Sequence, residues 1–76
     1  MEFFIVSGWG GDYEDKFDFC EVFVDLAAAE AYAETELESA KKLEFDDDIY
    51  LYGLAIYKGV VRDGRIVGEE PIKEYR

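Results

Sequence analysis

The chain has 76 residues, half of them hydrophobic and 17% aromatic, and its formal net charge at pH 7 is -11. This length allows one small domain, and the apolar content is too high for a disordered acidic tail. The chain has no histidine and only one cysteine, which excludes an internal disulfide and argues against a structural zinc site, so we expect no metal and no cofactor.

Two strands joined as a hairpin are predicted before the helix. The strand predicted over residues 2–7 has aromatic and β-branched residues at positions 3–6, and because both of its faces are apolar we expect it to be central. The glycines of residues 8–11 are predicted to end it, and residues 12–16 are predicted to form an acidic loop. Residues 17–24 form the second strand, in which the apolar alternation changes phase near Cys20, as a β-bulge or an apolar second face would explain.

A helix is predicted over residues 25–43, the only segment with sustained helical periodicity. Asp25 can cap its N-terminus by accepting from a free backbone N–H, and Lys41 and Lys42 suit the negative C-terminal end. The face predicted to pack on the sheet consists of Leu26, Ala29, Ala33, Leu37 and Ala40. The outer face carries Glu30, Glu34 and Glu38.

Residues 49–57 form the most apolar strand, and because both of its faces are apolar we expect it inside the sheet. Strict alternation places on one face Ile49, Leu51, Ala55 and Tyr57. The other face then carries Tyr50, Tyr52, Leu54 and Ile56. One helix covers only one face of a sheet, so the second set is expected either to form an exposed contact or dimer surface, or to be covered by the glycine-rich loop and the tail.

The remaining residues predict a hairpin and a tail. Residues 60–67 form the hairpin, with the Asp-Gly pair of residues 63–64 as a two-residue type I′ turn. Residues 68–76 contain a proline and are predicted to form an irregular edge segment, in which Ile72 and Tyr75 touch the core. The elements together predict an α+β domain of order ββαββ, with one helix packed on a small antiparallel sheet.

Three single residues allow more than one interpretation. Trp9 is either an anchor that faces a partner or a side chain that folds over the sheet edge. Gly53 either lets the helix approach closely or marks a bend. Cys20 is expected to be a small core residue, because the chain offers no histidine to activate it as a nucleophile.

Neither an enzyme nor a specific metal site is predicted. Residues 46–48 are consecutive aspartates, but they lack the alternating oxygen ligands, the glycine and the distal glutamate of a calcium loop. A chain this short also leaves little room for a substrate pocket of the usual volume, roughly 300–1,000 Å³. The first residues lack the basic and long apolar segments of a signal peptide, and we therefore expect a cytoplasmic protein.

Negative charge is concentrated in the first 48 residues, which hold fifteen acidic and three basic side chains. Such a field repels nucleic acids and anionic membranes and attracts basic protein surfaces. The outer glutamates of the helix recur about every 6 Å, and a DNA strand carries a phosphate about every 3.4 Å, so a rigid row of carboxylates can imitate a phosphate backbone. The alternative interpretation is that these glutamates simply form the solvent-exposed face of an amphipathic helix, which is the usual meaning of such a row. The residues expected to extend it are Asp12, Glu14, Asp15, Asp46, Asp47 and Asp48.

The small size, the charge, the aromatic sheet and the acidic helix LAAAEAYAETELESA (residues 26–40) resemble the class of phage-encoded inhibitors that includes anti-CRISPR proteins and DNA-mimic anti-restriction proteins. The resemblance covers the whole chain and rests on size, charge and layout, without a shared motif. It implies a stoichiometric inhibitor that occupies the nucleic-acid channel of a host defence complex. Basic side chains that normally hold phosphates would then pair with the carboxylates.

A second hypothesis is a small interaction module or homodimer whose acidity serves solubility. In that case the aromatic sheet face would carry the binding, and salt would hardly weaken it. The side chains expected to make this apolar contact are Trp9, Tyr50 and Tyr52.

Overall fold

The computed structural model describes residues 2–76, which form four strands and one helix. In chain order these are β1 (Phe3–Gly11), β2 (Lys16–Phe23), α1 (Leu26–Asp47), β3 (Tyr50–Arg62) and β4 (Arg65–Glu74). The strands pair antiparallel in one sheet of order β2-β1-β3-β4, and α1 packs on one face of it. The predicted ββαββ α+β fold is confirmed, as are the central positions of the first and third strands.

β1 continues through the glycines of residues 8–11, so the prediction that they end the strand is wrong. A Cβ atom at Gly10 would overlap the carbonyl oxygen of Tyr50 on the neighbouring strand. A Cβ atom at Gly8 would lie 2.7 Å from Cε1 of the Phe19 ring. These glycines therefore let neighbouring backbone and side chains approach β1 closely, as glycines in a strand interior often do.

β3 and β4 form one long hairpin. Its turn lies at Asp63 and Gly64, whose φ angles of 51° and 75° confirm the predicted two-residue turn. The prediction of an irregular segment over residues 68–76 is wrong, because β4 occupies most of it and pairs with β3 through two register shifts. Pro71 is tolerated because β4 is an edge strand. Ile72 is exposed at this edge, so the prediction that it touches the core is wrong.

α1 begins where the sequence predicts and ends later. Asp25 has an extended backbone, and its carboxylate accepts from the Ala27 N–H at 3.0 Å, which confirms the N-cap. Asp48 ends the helix in the left-handed conformation, with φ of 54°. Lys41 and Lys42 therefore lie before the last turn, and the prediction that they complement the C-terminal end of the helix dipole is wrong.

The core lies between α1 and the two central strands. The sheet contributes the buried side chains of Val6, Leu51, Leu54 and Ile56. The helix contributes small ones, Ala29, Ala33 and Ala40. Leu37 packs at the margin of this core, whereas Leu26 of the predicted apolar face is more exposed. Small helix residues let α1 lie close to the sheet, so most of the buried volume comes from the strands.

The side-chain alternation of β3 reverses at Gly53, and this changes the predicted faces. β3 has one extra residue relative to β1, at the register shift between Trp9 and Gly10. Leu54 and Ile56, which strict alternation placed with the tyrosines, are 1% and 0% exposed and belong to the core beneath α1. The face of the sheet away from α1, called the open face below, carries from β3 Tyr50, Tyr52, Ala55 and Tyr57.

The last two residues connect β3 with α1. The Tyr75 N–H donates to the Leu54 carbonyl oxygen at 2.8 Å, and the Tyr75 ring packs against the core, as predicted. The Arg76 guanidinium donates to the Leu51 carbonyl oxygen at 3.1 Å and forms an ion pair with Glu44 of α1. The helix is therefore tied to the sheet by charge as well as by apolar packing.

This ion pair predicts a loss of stability in acid. Hydrogen bonding from the Arg76 guanidinium holds the pKa of Glu44 below its ordinary value of 4.5. Because the folded-state pKa is the lower one, the contribution is complete above the ordinary value and is lost as pH falls through the folded-state value. We expect Glu44→Gln to lower the urea midpoint near neutral pH and to have a shrinking effect below about pH 4.5.

Glu34→Gln is the matched control, since Glu34 makes no ion pair within residues 2–76. It should leave the urea midpoint unchanged at both ends of the pH range. An effect of Glu44→Gln that is equally large in neutral and acidic buffer would show that shape, and not charge, explains the contribution of Glu44.

Candidate protein-binding surface

The predicted acidic row on the outer side of α1 is partly neutralised. Glu30 accepts a hydrogen bond from the Lys73 ammonium of β4 at 3.2 Å, and Glu38 forms an ion pair with Lys41 at 3.5 Å. The hydrogen bond to Glu30 raises the pKa of Lys73, which keeps that ammonium charged. Glu34 is exposed and has no ion pair in the described chain. The row therefore offers fewer free charges to a partner than its sequence suggests.

The loop between β1 and β2 holds Asp12 in a fixed position. The Asp12 carboxylate accepts from the backbone N–H of Asp15 at 2.6 Å and from that of Glu14 at 2.8 Å. These hydrogen bonds lower the pKa of Asp12, so its carboxylate is ionised at neutral pH. The side chains of Glu14 and Asp15 are exposed. The loop thus presents three carboxylates on a hydrogen-bonded turn.

The fold places this loop beside the C-terminal end of α1. Asp12 and Tyr13 of the loop line the same open depression as Asp48, Tyr50 and Tyr52. The helix residues that precede Asp48 add two further exposed carboxylates, Asp46 and Asp47. Two of the three predicted acidic groups therefore meet at one end of the molecule, while the Glu30 row lies in the helical layer. We call this end the acidic end; its residues are Asp12, Glu14, Asp15, Asp46, Asp47 and Asp48.

An aromatic ladder of Trp9, Tyr52 and Tyr50 lies on the open face next to the acidic end. The ring centroids of Trp9 and Tyr52 are 5.4 Å apart, and those of Tyr52 and Tyr50 are 6.2 Å apart with the rings tilted by only 29°. These side chains are 57%, 56% and 41% exposed, respectively. The Trp9 ring leans on Tyr52 and remains more than half open to solvent, and its role as an anchor for a partner stays a prediction.

Gly53 makes room for the indole ring of Trp9. A Cβ atom at Gly53 would overlap Nε1 of Trp9 and lie 2.5 Å from its Cδ1. The extra residue of β3 places both Tyr52 and Gly53 opposite Trp9. The Trp9 ring packs against the ring of Tyr52 and occupies the space that a side chain at position 53 would fill. The close approach at Gly53 is that of Trp9 and not that of the helix, whereas the alternative that Gly53 marks a bend agrees with the extra residue of β3 at this point.

Asp18 is the functional candidate whose place beside the ladder the sequence did not reveal. It is the direct cross-strand partner of Trp9 in the pairing of β1 with β2, so both side chains lie on the open face. Asp18, Trp9 and Tyr52 line an open cleft of ≈ 530 Å³, together with Asp12 and Lys16. Counting back from the hairpin loop in both strands could have found this pair, because Trp9 and Asp18 are equally far from the turn.

Cys20 is exposed, so the expectation of a core cysteine is wrong. It is the cross-strand partner of Ser7, and no helix covers this side of the sheet. The pairing of β1 with β2 has no register shift. The change of phase in the β2 sequence therefore reflects an apolar second face, which includes the exposed Val22.

The acidic half of the chain predicts a salt-dependent stability. Within residues 2–76 none of the carboxylates of the acidic end forms an ion pair, so their mutual repulsion opposes folding at low ionic strength. We expect the melting temperature to rise by a few degrees between low and moderate salt, because screening acts over about 10 Å at 0.1 M. Circular dichroism melts in a sodium chloride series measure this, and a flat or falling curve would show that the repulsion is negligible.

Comparisons with known proteins assign no family to the chain. Neither family models nor curated proteins nor solved structures give a match. Within residues 2–76 no three potential metal ligands of the Asp, Glu, Cys or His type lie close enough together to hold an ion. None of the described helical structure is both long and apolar enough to cross a membrane.

Proposed function

We propose that this protein is a stoichiometric inhibitor that binds a basic nucleic-acid-binding protein or ribonucleoprotein complex, in the manner of phage-encoded inhibitors of host defence complexes. It acts in the cytoplasm of the host cell and catalyses no reaction. The observation that supports this most is the acidic end, where carboxylates without ion pairs in the described chain lie beside an exposed aromatic ladder.

The physical basis is that such a surface offers both charge and apolar area. Lysine and arginine side chains that hold phosphates can form charge-assisted hydrogen bonds with carboxylates instead. Exposed tryptophan and tyrosine side chains supply the desolvated centre that protein interfaces need. The concentrated negative charge attracts a basic surface over long range and accelerates association. The outer face of α1 adds less to this field, because Glu30 and Glu38 are paired with lysine side chains.

The test is capture of the partner by the immobilised protein. Lysate from bacteria that contain CRISPR and restriction complexes is passed over it, washed at low and then high salt, and the bound proteins are identified by mass spectrometry. We expect a nucleic-acid-binding complex that is released by high salt and also by excess duplex DNA. An unrelated acidic protein of similar size and charge is the control bait. Capture of nothing, or only of partners that resist salt and lack a nucleic-acid site, would contradict the proposal.

A second candidate function is homodimerisation through the open face. One helix leaves this face uncovered, and it carries exposed apolar side chains besides the ladder, including Val22 and Ile66. An open depression of ≈ 360 Å³ between Ile5, Tyr57 and Ile66 adds to it. A dimer formed there would persist at high salt, because apolar contacts are not screened. Sedimentation velocity over a range of concentrations at low and high salt tests this, and a monomer under all conditions would exclude it.

A further inference from the structure

We infer that the cleft between Trp9, Tyr52 and Asp18 recognises arginine side chains of the protein partner, with a guanidinium group stacked on the indole ring of Trp9. This inference rests on the proposed function, because it specifies which basic side chain the partner contributes and where that side chain binds. Three features of the cleft support it: an open aromatic surface, a carboxylate at its edge, and a second carboxylate that is held ionised.

The aromatic surface is built and positioned by the sheet. Trp9 leans on Tyr52, with the ring centroids 5.4 Å apart, and the space above Gly53 accepts the indole edge. Both rings remain more than half exposed. Exposed ring surface is therefore open to a planar cation, and tryptophan is the ring to which cations bind best.

The carboxylate at the edge is Asp18. As the cross-strand partner of Trp9 on the same face, Asp18 has its Cβ atom about 5 Å from that of Trp9. The N–H groups of a guanidinium lie in its own plane, so a guanidinium that stacks on the indole directs them past the edge of the ring, toward this carboxylate. Arginine presents five N–H donors in a flat fork, so stacking and hydrogen bonding can occur together.

The second carboxylate is that of Asp12, which lines the same cleft. Its backbone hydrogen bonds to the loop fix its position and lower its pKa. Lys16 also lines the cleft, but the carboxylates of Asp12 and Asp18 outnumber its single positive charge. The cleft as a whole therefore attracts a cation, in keeping with the net charge of the molecule.

The chemistry favours arginine over lysine and over the bases of a nucleic acid. A lysine ammonium is compact and strongly hydrated, so it gains less from a flat ring than the weakly hydrated guanidinium does. Bases of single-stranded nucleic acid also stack on exposed aromatic side chains. Their phosphates, however, would be brought close to Asp12 and Asp18 and to the concentrated negative charge of the first 48 residues, which repels them.

The test compares fluorescein-labelled hexa-arginine and hexa-lysine peptides, with binding to the whole protein followed by fluorescence anisotropy at moderate salt. We expect the arginine peptide to bind about fivefold more tightly or better. Trp9 is the only tryptophan of the chain, so its emission reports directly on the cleft. The arginine peptide should change this emission at saturation, and the lysine peptide should change it much less.

Variants locate the preference in the cleft. Trp9→Leu and, independently, Tyr52→Leu should remove the preference for arginine while keeping weak binding of both peptides. Asp18→Asn should weaken binding of the arginine peptide more than Glu34→Gln does, although both substitutions remove one negative charge. Circular dichroism spectra confirm that each variant is folded, and two independent ring substitutions ensure that one misfolded variant does not decide the result.

The outcomes separate this inference from the function on which it rests. Equal affinity for the two peptides, or an arginine preference that survives both ring substitutions, would overturn the inference and leave binding of a basic partner intact. If neither peptide binds at moderate salt, the inference fails and the proposed function loses its physical basis as well. An arginine preference that depends on the rings and on Asp18 supports both.

Discussion

Replacement of Gly10 by alanine is expected to destabilise the domain severely. The added methyl group would overlap the carbonyl oxygen of Tyr50 and lie 2.9 Å from the Cα atom of Leu51. Both obstacles are backbone atoms of the central strand β3, which cannot move without breaking the pairing of β1 with β3. We expect a loss of about 3 kcal/mol, typical of severe overpacking, and a melting temperature lower by about 12 °C or more.

Gly68→Ala is the control for this prediction. Gly68 also lies in a strand, so the two substitutions change the flexibility of the unfolded chain in the same way. The nearest atom to a Cβ at Gly68 is 3.5 Å away, which is an ordinary contact. We expect a change within about 0.5 kcal/mol in urea unfolding. If Gly10→Ala changed the free energy of unfolding as little as Gly68→Ala, the two central strands would not approach each other closely at the register shift.

Reversal of charge at the acidic end and at Asp18, which lines the neighbouring cleft, is expected to abolish partner binding. In the first variant Asp18, Asp46 and Asp47 are replaced by lysine. All three side chains are exposed, and lysines at the C-terminal end of α1 suit the helix dipole, so the fold should be retained. Because each substitution places a positive charge opposite a basic partner, we expect the affinity for the captured complex to fall by about 100-fold or more.

The matched variant reverses the acidic row of α1, with lysine in place of Glu30, Glu34 and Glu38, and changes the net charge by the same amount. It should weaken binding only about tenfold, mainly through slower association, because it alters the long-range field and not the contact. Surface plasmon resonance measures both rates. If this variant abolished binding and the first did not, the helix row would be the phosphate mimic. If both bound normally and Tyr50→Ala or Tyr52→Ala did not, the acidic surface would be irrelevant to binding.

Part of the candidate site can be predicted from residue types alone. The sequence identifies Trp9, Tyr50 and Tyr52 as residues for an exposed contact, and the structure places all three together on the open face. The acidic residues can also be identified from the sequence, but the sequence predicts that they form one extended surface. Their separation into a partly neutralised row and an acidic end depends on Lys73 reaching Glu30 from β4. It also depends on where the helix ends. Neither can be inferred from local spacing.

The order of elements, the helix with its cap at Asp25, and the Asp-Gly turn were determined by the sequence itself, because propensity, capping and turn chemistry act between residues close in the chain. The faces of β3 were decided by tertiary structure. One extra residue opposite Trp9 moves Leu54 and Ile56 into the core and leaves the tyrosines outside. A shift of one residue exchanges the two faces of a strand, and only the pairing with a distant strand fixes it. For the same reason the contact of Trp9 with Gly53 exists only in the folded sheet.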